Sequence, residues 1–353
     1  MSNEIKAVCK SRVEHRPIVH ELIGLLESRP DLETALDKSI HKAGFSDVAT
    51  LAHYFDFLDK MVTLIPTDRN LNPLLLKFYY LIDLSPDDVL LGDATFQRWS
   101  RKFAEEWGAF LDTTESAEGI KTFFADPSYH INDYCVAPSG WLTFNQFFAR
   151  QVRPGKRPVD SRCDDSVIVS PADAVFQGQW VIEEDSKITA KGLTWSVMDL
   201  LEGSPFQERF RGGLYTHSYL DVNDYHRFHV PVGGVVKEVR KIPGRVDMDV
   251  IRKPDGTLHG TTDGTGFQFT QDRGLIILHT PVGLVAVLPI GMAQVSAVNL
   301  TAEVGVSLAK GEEFGFFSFG GSDIVTLFEH GKVKLDAHVG THYRQGRAIG
   351  HAI

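Results

Sequence analysis

Phe314-Gly315-Phe316-Phe317-Ser318-Phe319-Gly320-Gly321-Ser322-Asp323-Ile324-Val325 sets two apolar runs on either side of two glycines and a serine. Both runs read as buried strands, which makes the C-terminal part of the chain sheet territory. Gly320 and Gly321 allow backbone conformations closed to other residues and leave the carbonyl before Ser322 open to close approach. The serine hydroxyl therefore has a route to attack its own chain. A Gly-Gly-Ser stretch by itself is far more often a turn between strands, so the chemistry must be argued from the rest of the sequence.

Upstream of this stretch, from about Ser128, short Val/Ile-rich runs are separated by glycine and proline: Val167 to Val169, Val235 to Val239, Leu275 to Leu278 and Leu284 to Ile290. These predict strands. Two helical inserts are expected among them, around Thr143 to Gln151 and Trp195 to Glu202. The charge-free segment Gly274 to Ala302 is interrupted by His279, Pro281, Pro289, Gln294 and Asn299, so it reads as buried strands and not as a membrane span. Between Pro17 and Asp112 the spacing is helical: Val48, Leu51, Phe55, Leu58 and Val62 recur at three and four, as do Phe96, Trp99, Phe103, Trp107 and Phe110. Pro66, Pro73 and Pro86 are expected to divide this region into several short helices. The fold class is therefore α+β, an all-helical N-terminal unit over residues 1–127 followed by a β-rich catalytic domain over 128–353. Arg153-Pro154-Gly155-Lys156-Arg157-Pro158 reads as an extended connector with solvated charges.

At 353 residues, with 43% hydrophobic and 23% charged positions, the chain can bury a full core. Its net charge of -10, from 36 basic and 46 acidic residues, argues against a general nucleic-acid or anionic-membrane surface. Cys9, Cys135 and Cys163 are few and widely spaced, which fits a reducing compartment and gives no zinc spacing. Met1 to Arg16 mixes charges and lacks the apolar centre of a signal peptide or anchor, so a cytoplasmic protein without an integral membrane segment is expected.

Two further islands carry chemistry. In Ser170-Pro171-Ala172-Asp173 an acid follows a strand and a proline-fixed turn. Asp224-Tyr225-His226-Arg227-Phe228-His229-Val230-Pro231 concentrates two histidines, an arginine and aromatics. No glutamate flanks the histidines as in a zinc-protease helix and no cysteine lies near, so no metal is expected. Either histidine alone also fits a hydrogen-bonded structural role. Together with Ser322 the islands supply an acid, a base and a nucleophile, the set in which an aspartate orients a histidine that takes the serine proton. A serine hydrolase uses the same parts, but Ser322 lacks a Gly-x-Ser-x-Gly elbow and its glycines lie on the acyl side, which favours attack on the Gly321 carbonyl.

In this order the islands resemble the phosphatidylserine decarboxylase family of pyruvoyl enzymes, whose hallmarks are an Asp after Ser-Pro-Ala, an Asp-Tyr-His-Arg-x-His-x-Pro run and a Gly-Ser cleavage site. Supporting matches are Phe147-Phe148-Ala149-Arg150 with Arg157-Pro158, Lys191-Gly192-Leu193-Thr194-Trp195-Ser196 with Leu200-Leu201, and Lys310-Gly311-Glu312-Glu313-Phe314-Gly315. The helical unit, through Trp99 to Leu111, and the stretch Ile290 to Ser296 are more similar to the soluble branch that includes fungal L-tryptophan decarboxylases. The chain departs from the phospholipid enzymes at Ala174, where they carry Gly, and at Asp323, where they carry Thr. It also keeps the Ser-Pro-Ala-Asp island that the fungal tryptophan enzymes alter.

The resemblance implies that Asp173 and His229 activate Ser322 and that the chain cleaves itself between Gly321 and Ser322. Ser322 then becomes a pyruvoyl cofactor that takes the substrate amine as a Schiff base, with no need for pyridoxal phosphate. His226 is the candidate for contacting the substrate carboxylate or returning the proton to carbon, and a purely structural role for it stays open. The two fragments are expected to stay associated, and a homo-oligomer is left open. A free L-amino acid is the leading substrate. A phosphatidylserine decarboxylase, and a serine hydrolase or inactive scaffold keeping Ser322 intact, are the alternatives.

Overall fold

Pro17 and Pro30 each open a helix, Pro17–Ser28 and Pro30–Ala43. A proline ring presets helical φ, and its missing N–H would be unpaired in the first turn anyway. The Thr50 hydroxyl caps Leu51–Met61 by accepting from His53 N, and the Asp93 carboxylate caps Ala94–Leu111 by accepting from Thr95 N and Phe96 N. The computed structural model describes residues 14–183, 187–190, 193–246, 248–260, 270–291, 298–320 and 323–353, so the expected cleavage pair Gly321–Ser322 lies outside the described residues. The proline reading needs one correction: Pro73 does not divide helices but sits in the first turn of Leu71–Asp83, where its ring is tolerated. The apolar stripes face inward as expected. Phe96, Trp99, Phe103 and Trp107 are buried, each large ring contributing about 1.5–3 kcal/mol relative to exposure.

The C-terminal part is rich in strands, as the glycine- and proline-punctuated Val/Ile runs predict. Among the described residues the central sheet has eight antiparallel strands in the order Ser307–Leu308, Gly234–Ile242, Arg273–Thr280, Gly283–Ile290, Asp323–Phe328, Leu214–Tyr219, Ala174–Val181, His342–Tyr343. One face, carrying Ile276, Leu278, Val285, Val287 and Ile324, joins a core that continues into the helices. The other face, carrying Leu275, Ile277, Leu288, Val325 and Leu327, is covered by the helical turns Val197–Leu201 and Gln207–Phe210. Burial on both faces explains why these strands read as continuous apolar runs and not as an alternation. No helix among the described residues is long and apolar enough to cross a membrane.

A second sheet of three strands, Val298–Leu300, Glu313–Phe317 and Arg227–His229, positions the chemistry. The opening stretch thus contains two strands of different sheets: Glu313–Phe317 ends in the small sheet, and Asp323–Phe328 begins in the large one. The chain turns this corner through Ser318, Phe319 and Gly320. Gly320 adopts φ +126, a backbone region in which an L side chain is strained.

Candidate active site

The Ser-Pro-Ala-Asp island is a closed turn, its Ser170 hydroxyl donating to the Ala172 carbonyl at 2.7 Å. His229 N donates to the Pro171 carbonyl at 2.8 Å, which stitches the turn to the Arg227–His229 strand. The acid and the second histidine therefore lie side by side, though 56 positions separate them in sequence (229 minus 173). Asp173 is buried and its carboxylate is fully engaged. Arg157 Nε donates to both oxygens at 2.8 and 2.9 Å, Arg157 Nη2 to Oδ2 at 2.5 Å, and Gln345 N to Oδ1 at 2.8 Å.

Arg157 corrects the reading of the connector, because its side chain is only 3% exposed where solvated charge was expected. Burial works against its charge, but the hydrogen bonds and the negative charge of Asp173 outweigh that and hold the guanidinium above its ordinary value. Lys156 in the same connector does sit near the surface, paired with Asp133.

His229 is buried with both ring nitrogens engaged. Nδ1 lies 3.0 Å from the Gly311 carbonyl and Nε2 lies 3.2 Å from the Tyr225 hydroxyl. A carbonyl only accepts, so the proton sits on Nδ1 and Nε2 is the bare nitrogen, the tautomer a base requires. Orientation of the imidazole thus comes from Gly311 and not from Asp173, whose carboxylate is spent on Arg157 and Gln345. Gly311 has φ +78, and a Cβ there would meet the Val159 side chain, so this carbonyl is presented by a position suited to glycine. Desolvation pushes the His229 pKa down to about 4, opposed by the Gly311 carbonyl and by the charge of Asp173. The ring is neutral at pH 7 and able to accept a proton.

His226 is fully buried, yet neither ring nitrogen has a hydrogen-bond partner among the described residues. Its ring stacks on Phe148 at 3.8 Å between centroids. The side chains of its two preceding neighbours are turned elsewhere: the Tyr225 hydroxyl goes to His229, and the Asp224 carboxylate goes to His342 Nε2 and Asp221 N. Desolvation, with help from the Arg150 charge, drives its pKa well below the ordinary histidine value, although the Asp224 backbone approaches the ring and opposes the shift. The His226 carbonyl accepts from Phe317 N at 2.9 Å, so this histidine lies against the strand that leads to Gly320.

Spacing alone gave no signal for several contributors. Arg150, buried, donates to the Asn223 and Asp224 carbonyls at 2.6 and 3.0 Å and fixes the run into Tyr225-His226. Asn145 reaches the corner itself, its Oδ1 accepting from Phe319 N at 3.0 Å. A cavity of about 490 Å³ opens beside the corner, lined among others by Trp141, Asn145, Arg150, Arg227, Phe316 and Ser318. Among the described residues one set of possible metal donors converges, His15, Asp56 and Asp59 in the helical region, and there Asp59 already bonds His15 and Arg16 N.

Residues 144–351 match the family model described as phosphatidylserine decarboxylase. A phosphatidylserine decarboxylase proenzyme of Fusobacterium nucleatum is 30% identical over 290 residues, covering 80% of this chain and 90% of that one. Phosphatidylserine decarboxylase proenzyme 2 of Oryza sativa subsp. japonica is 30% identical over 263 residues, 73% of this chain and 39% of the longer rice protein. The decarboxylase iboD of Amanita muscaria is 27% identical over 300 residues, 72% of this chain and 83% of that one.

Proposed function

The chain belongs to the phosphatidylserine decarboxylase family, and we propose that it is a self-processing, pyruvoyl-dependent decarboxylase converting a free L-amino acid, such as an aromatic one, to its amine and carbon dioxide. His229 Nε2 takes the proton of the Ser322 hydroxyl, whose oxygen attacks the Gly321 carbonyl. The Gly321–Ser322 amide becomes an ester, and the serine amine takes up a proton. Elimination then removes the Cα proton of residue 322 to a base and breaks the serine Cβ–O bond, leaving Gly321 with a free carboxylate and residue 322 as dehydroalanine. Water adds to the imine tautomer of that residue and ammonia leaves, giving the ketone. The products are a fragment ending at Gly321 and a 32-residue fragment (353 minus 321).

One observation carries this reading: the strand Arg227–His229, and the His226 carbonyl just before it, bond the strand Glu313–Phe317 that leads to Gly320. His226 fits the role of a group that waits for the substrate, being buried, neutral and, among the described residues, unpartnered at both nitrogens. When bound, the pyruvoyl group supplies an electron sink next to the substrate amine. His226 then donates from a ring nitrogen to the substrate carboxylate or returns a proton to carbon. Its burial keeps water away from both events.

A free amino acid as substrate is supported by the cavity beside the corner, about 490 Å³ in volume and of a size to admit an amino acid, which is lined by neither His226 nor His229 and so serves as the approach to the corner. It offers aromatic surface from Trp141 and Phe316, and buried Arg150, whose Nε has no partner among the described residues. Cytoplasmic residence is consistent with Cys135 and Cys163, both free and exposed. Phosphatidylserine is the second reading, favoured by the bacterial and rice relatives, which are named phosphatidylserine decarboxylase proenzymes.

Intact-mass measurement of the purified protein, followed by carbon dioxide release from an amino-acid panel and from phosphatidylserine vesicles, tests the proposal. Two fragments, the smaller reactive toward hydroxylamine at its keto group, with turnover of a free amino acid are expected. A single uncleaved polypeptide defeats the pyruvoyl mechanism and leaves a serine hydrolase or scaffold. Turnover of vesicles alone reverses the substrate assignment.

A further inference from the structure

We infer that the scissile segment is held from both sides by buried polar contacts with separate duties: Asn145 positions it for scission, and the His217–Asp323 pair positions the residue that carries the keto group afterwards. This deepens the reading of Ser322 as a pyruvoyl precursor and rests on it. On the upstream side, Asn145 Oδ1 accepts from Phe319 N at 3.0 Å, while its Nδ2 donates to Asp112 Oδ1 at 2.9 Å and reaches the Gly108 carbonyl at 3.3 Å. Gly108 and Asp112 lie at the C-terminal end of the Ala94–Leu111 helix and just beyond it, so the amide ties the corner to the helical region. The Phe319 ring is caged by Trp107, Phe144 and Phe148 at centroid distances of 5.5, 5.6 and 5.3 Å. Phe148 also carries the stacked His226 ring.

On the downstream side, the Asp323 carboxylate is 2% exposed and its Oδ1 lies 3.0 Å from His217 Nε2. His217 belongs to the Leu214–Tyr219 strand, which pairs with Asp323–Phe328 in the central sheet. Asp323 is the residue at which the chain departs from the usual Thr of the phospholipid enzymes. A carboxylate buried among apolar strands is costly unless paired, and the His217 ring is the neighbour that pairs with it.

The two holds differ in what they do once the chain is cut. Before scission the two holds act on the described residues that flank the scissile pair, Phe319 upstream and Asp323 downstream, and a misplacement of about 1 Å at reacting atoms costs on the order of 10²-fold in rate. After scission Phe319 belongs to a chain end that no longer carries a reacting atom. The acyl group made from Ser322 is then bonded to the Asp323 nitrogen, so only the downstream hold still sets its position.

The test compares Asn145→Ala and His217→Ala with wild type in two measurements: the half-time of precursor cleavage followed by mass, and carbon dioxide release per cleaved molecule from whichever substrate the wild type turns over. Asn145→Ala is expected to slow cleavage about 10- to 100-fold; because Asn145 also lines the cavity, any change in turnover per cleaved molecule should appear in KM, with kcat lowered far less than the cleavage rate. His217→Ala is expected to slow cleavage and also to lower turnover per cleaved molecule about 10-fold or more. Conservative changes separate position from general stability. Asn145→Asp combined with Asp112→Asn restores the hydrogen bond between the two side chains and an acceptor for Phe319 N, so it should regain most of the cleavage rate. His217→Gln, which keeps a donor toward Asp323, should regain turnover. If Asn145→Ala does not fold, Asp112→Ala at the exposed end of the same contact gives the milder form of the first effect. Equal losses in both measurements for Asn145→Ala, or wild-type behaviour of both alanine variants, overturns the inference. A wild type that never cleaves instead removes the reading beneath it.

Discussion

His226 and His229 sit three positions apart on one run of chain, yet their surroundings are opposite. Around His229 every polar atom is matched: carbonyl to Nδ1, hydroxyl to Nε2, and a neighbouring carboxylate locked by a guanidinium. Around His226 the ring is clamped flat against Phe148 and its nitrogens are left without partners among the described residues. An unpaired buried polar group costs about 1–3 kcal/mol, so the fold tolerates at His226 what it avoids at His229. The difference fits the proposed two stages, with His229 as the base before cleavage and His226 as the ring that meets the substrate afterwards.

The sharpest way to break this comparison is to remove each ring. His229→Ala should abolish cleavage, with a loss of about 10²–10⁴-fold, as for removal of a general base. His226→Ala should still cleave but lose about 10²-fold or more in carbon dioxide release. Mass spectrometry and gas release on the same samples decide it, and an uncleaved His226→Ala protein would merge the two roles.

Next in size is Arg157→Ala, which leaves the Asp173 carboxylate buried beside only one remaining donor. A destabilisation of about 3–5 kcal/mol, read as a lowered thermal midpoint, is expected from breaking a buried pair. A shift as small as that of an exposed ion pair, about 0–1 kcal/mol, would mean that water replaces the guanidinium.

The third test is pH. Because desolvation lowers the His229 pKa to about 4, cleavage of the purified precursor should stay level from pH 8 down to about 5 and fall as pH drops through 4. The unfolded ring titrates near the ordinary value of about 6.5, so the unfolded state binds the proton first. The neutral ring's contribution to stability is complete above that value and is lost as pH falls from it through 4. A cleavage rate that halves near pH 6.5 would place the base in water.

Smallest is Tyr225→Phe, which deletes the donor to Nε2. About 1 kcal/mol of stability should go, with cleavage changed less than about 5-fold, since the carbonyl at Nδ1 still sets the tautomer.

Local pattern carried the helices and strands into view: Phe96, Trp99, Phe103 and Trp107 recur at helical spacing because one face is buried, and Gly320 stands where the chain leaves the smaller sheet. Asp173, His226 and His229 stood out by residue type and by resemblance, while Ser322 has no described geometry to compare. What the sequence could not disclose was pairing. Arg157 looked like a solvated charge because nothing in a connector says that it turns inward to an aspartate 16 positions on. Asn145 drew no notice within the Thr143 to Gln151 insert, and Gly311 entered only as one residue of the Lys310 to Gly315 match. Each depends on a contact between distant segments, which hydrophobic period does not encode. Pro73 misled for a related reason, since proline breaks a helix interior but fits a first turn.

The last 31 residues, Asp323 to Ile353, are woven through the molecule: Asp323–Phe328 is an interior strand, Val333–Leu335 and Ala348–Ala352 join another sheet, and Gln345 N holds Asp173. For a precursor, refolding after heating is the private affair of one molecule. Once the chain is cut as proposed, the same recovery needs an encounter between two separate peptides, so it should fail on dilution and improve with added short peptide. Maturation would then trade reversible folding for a structure that, once lost, is rebuilt only by collision.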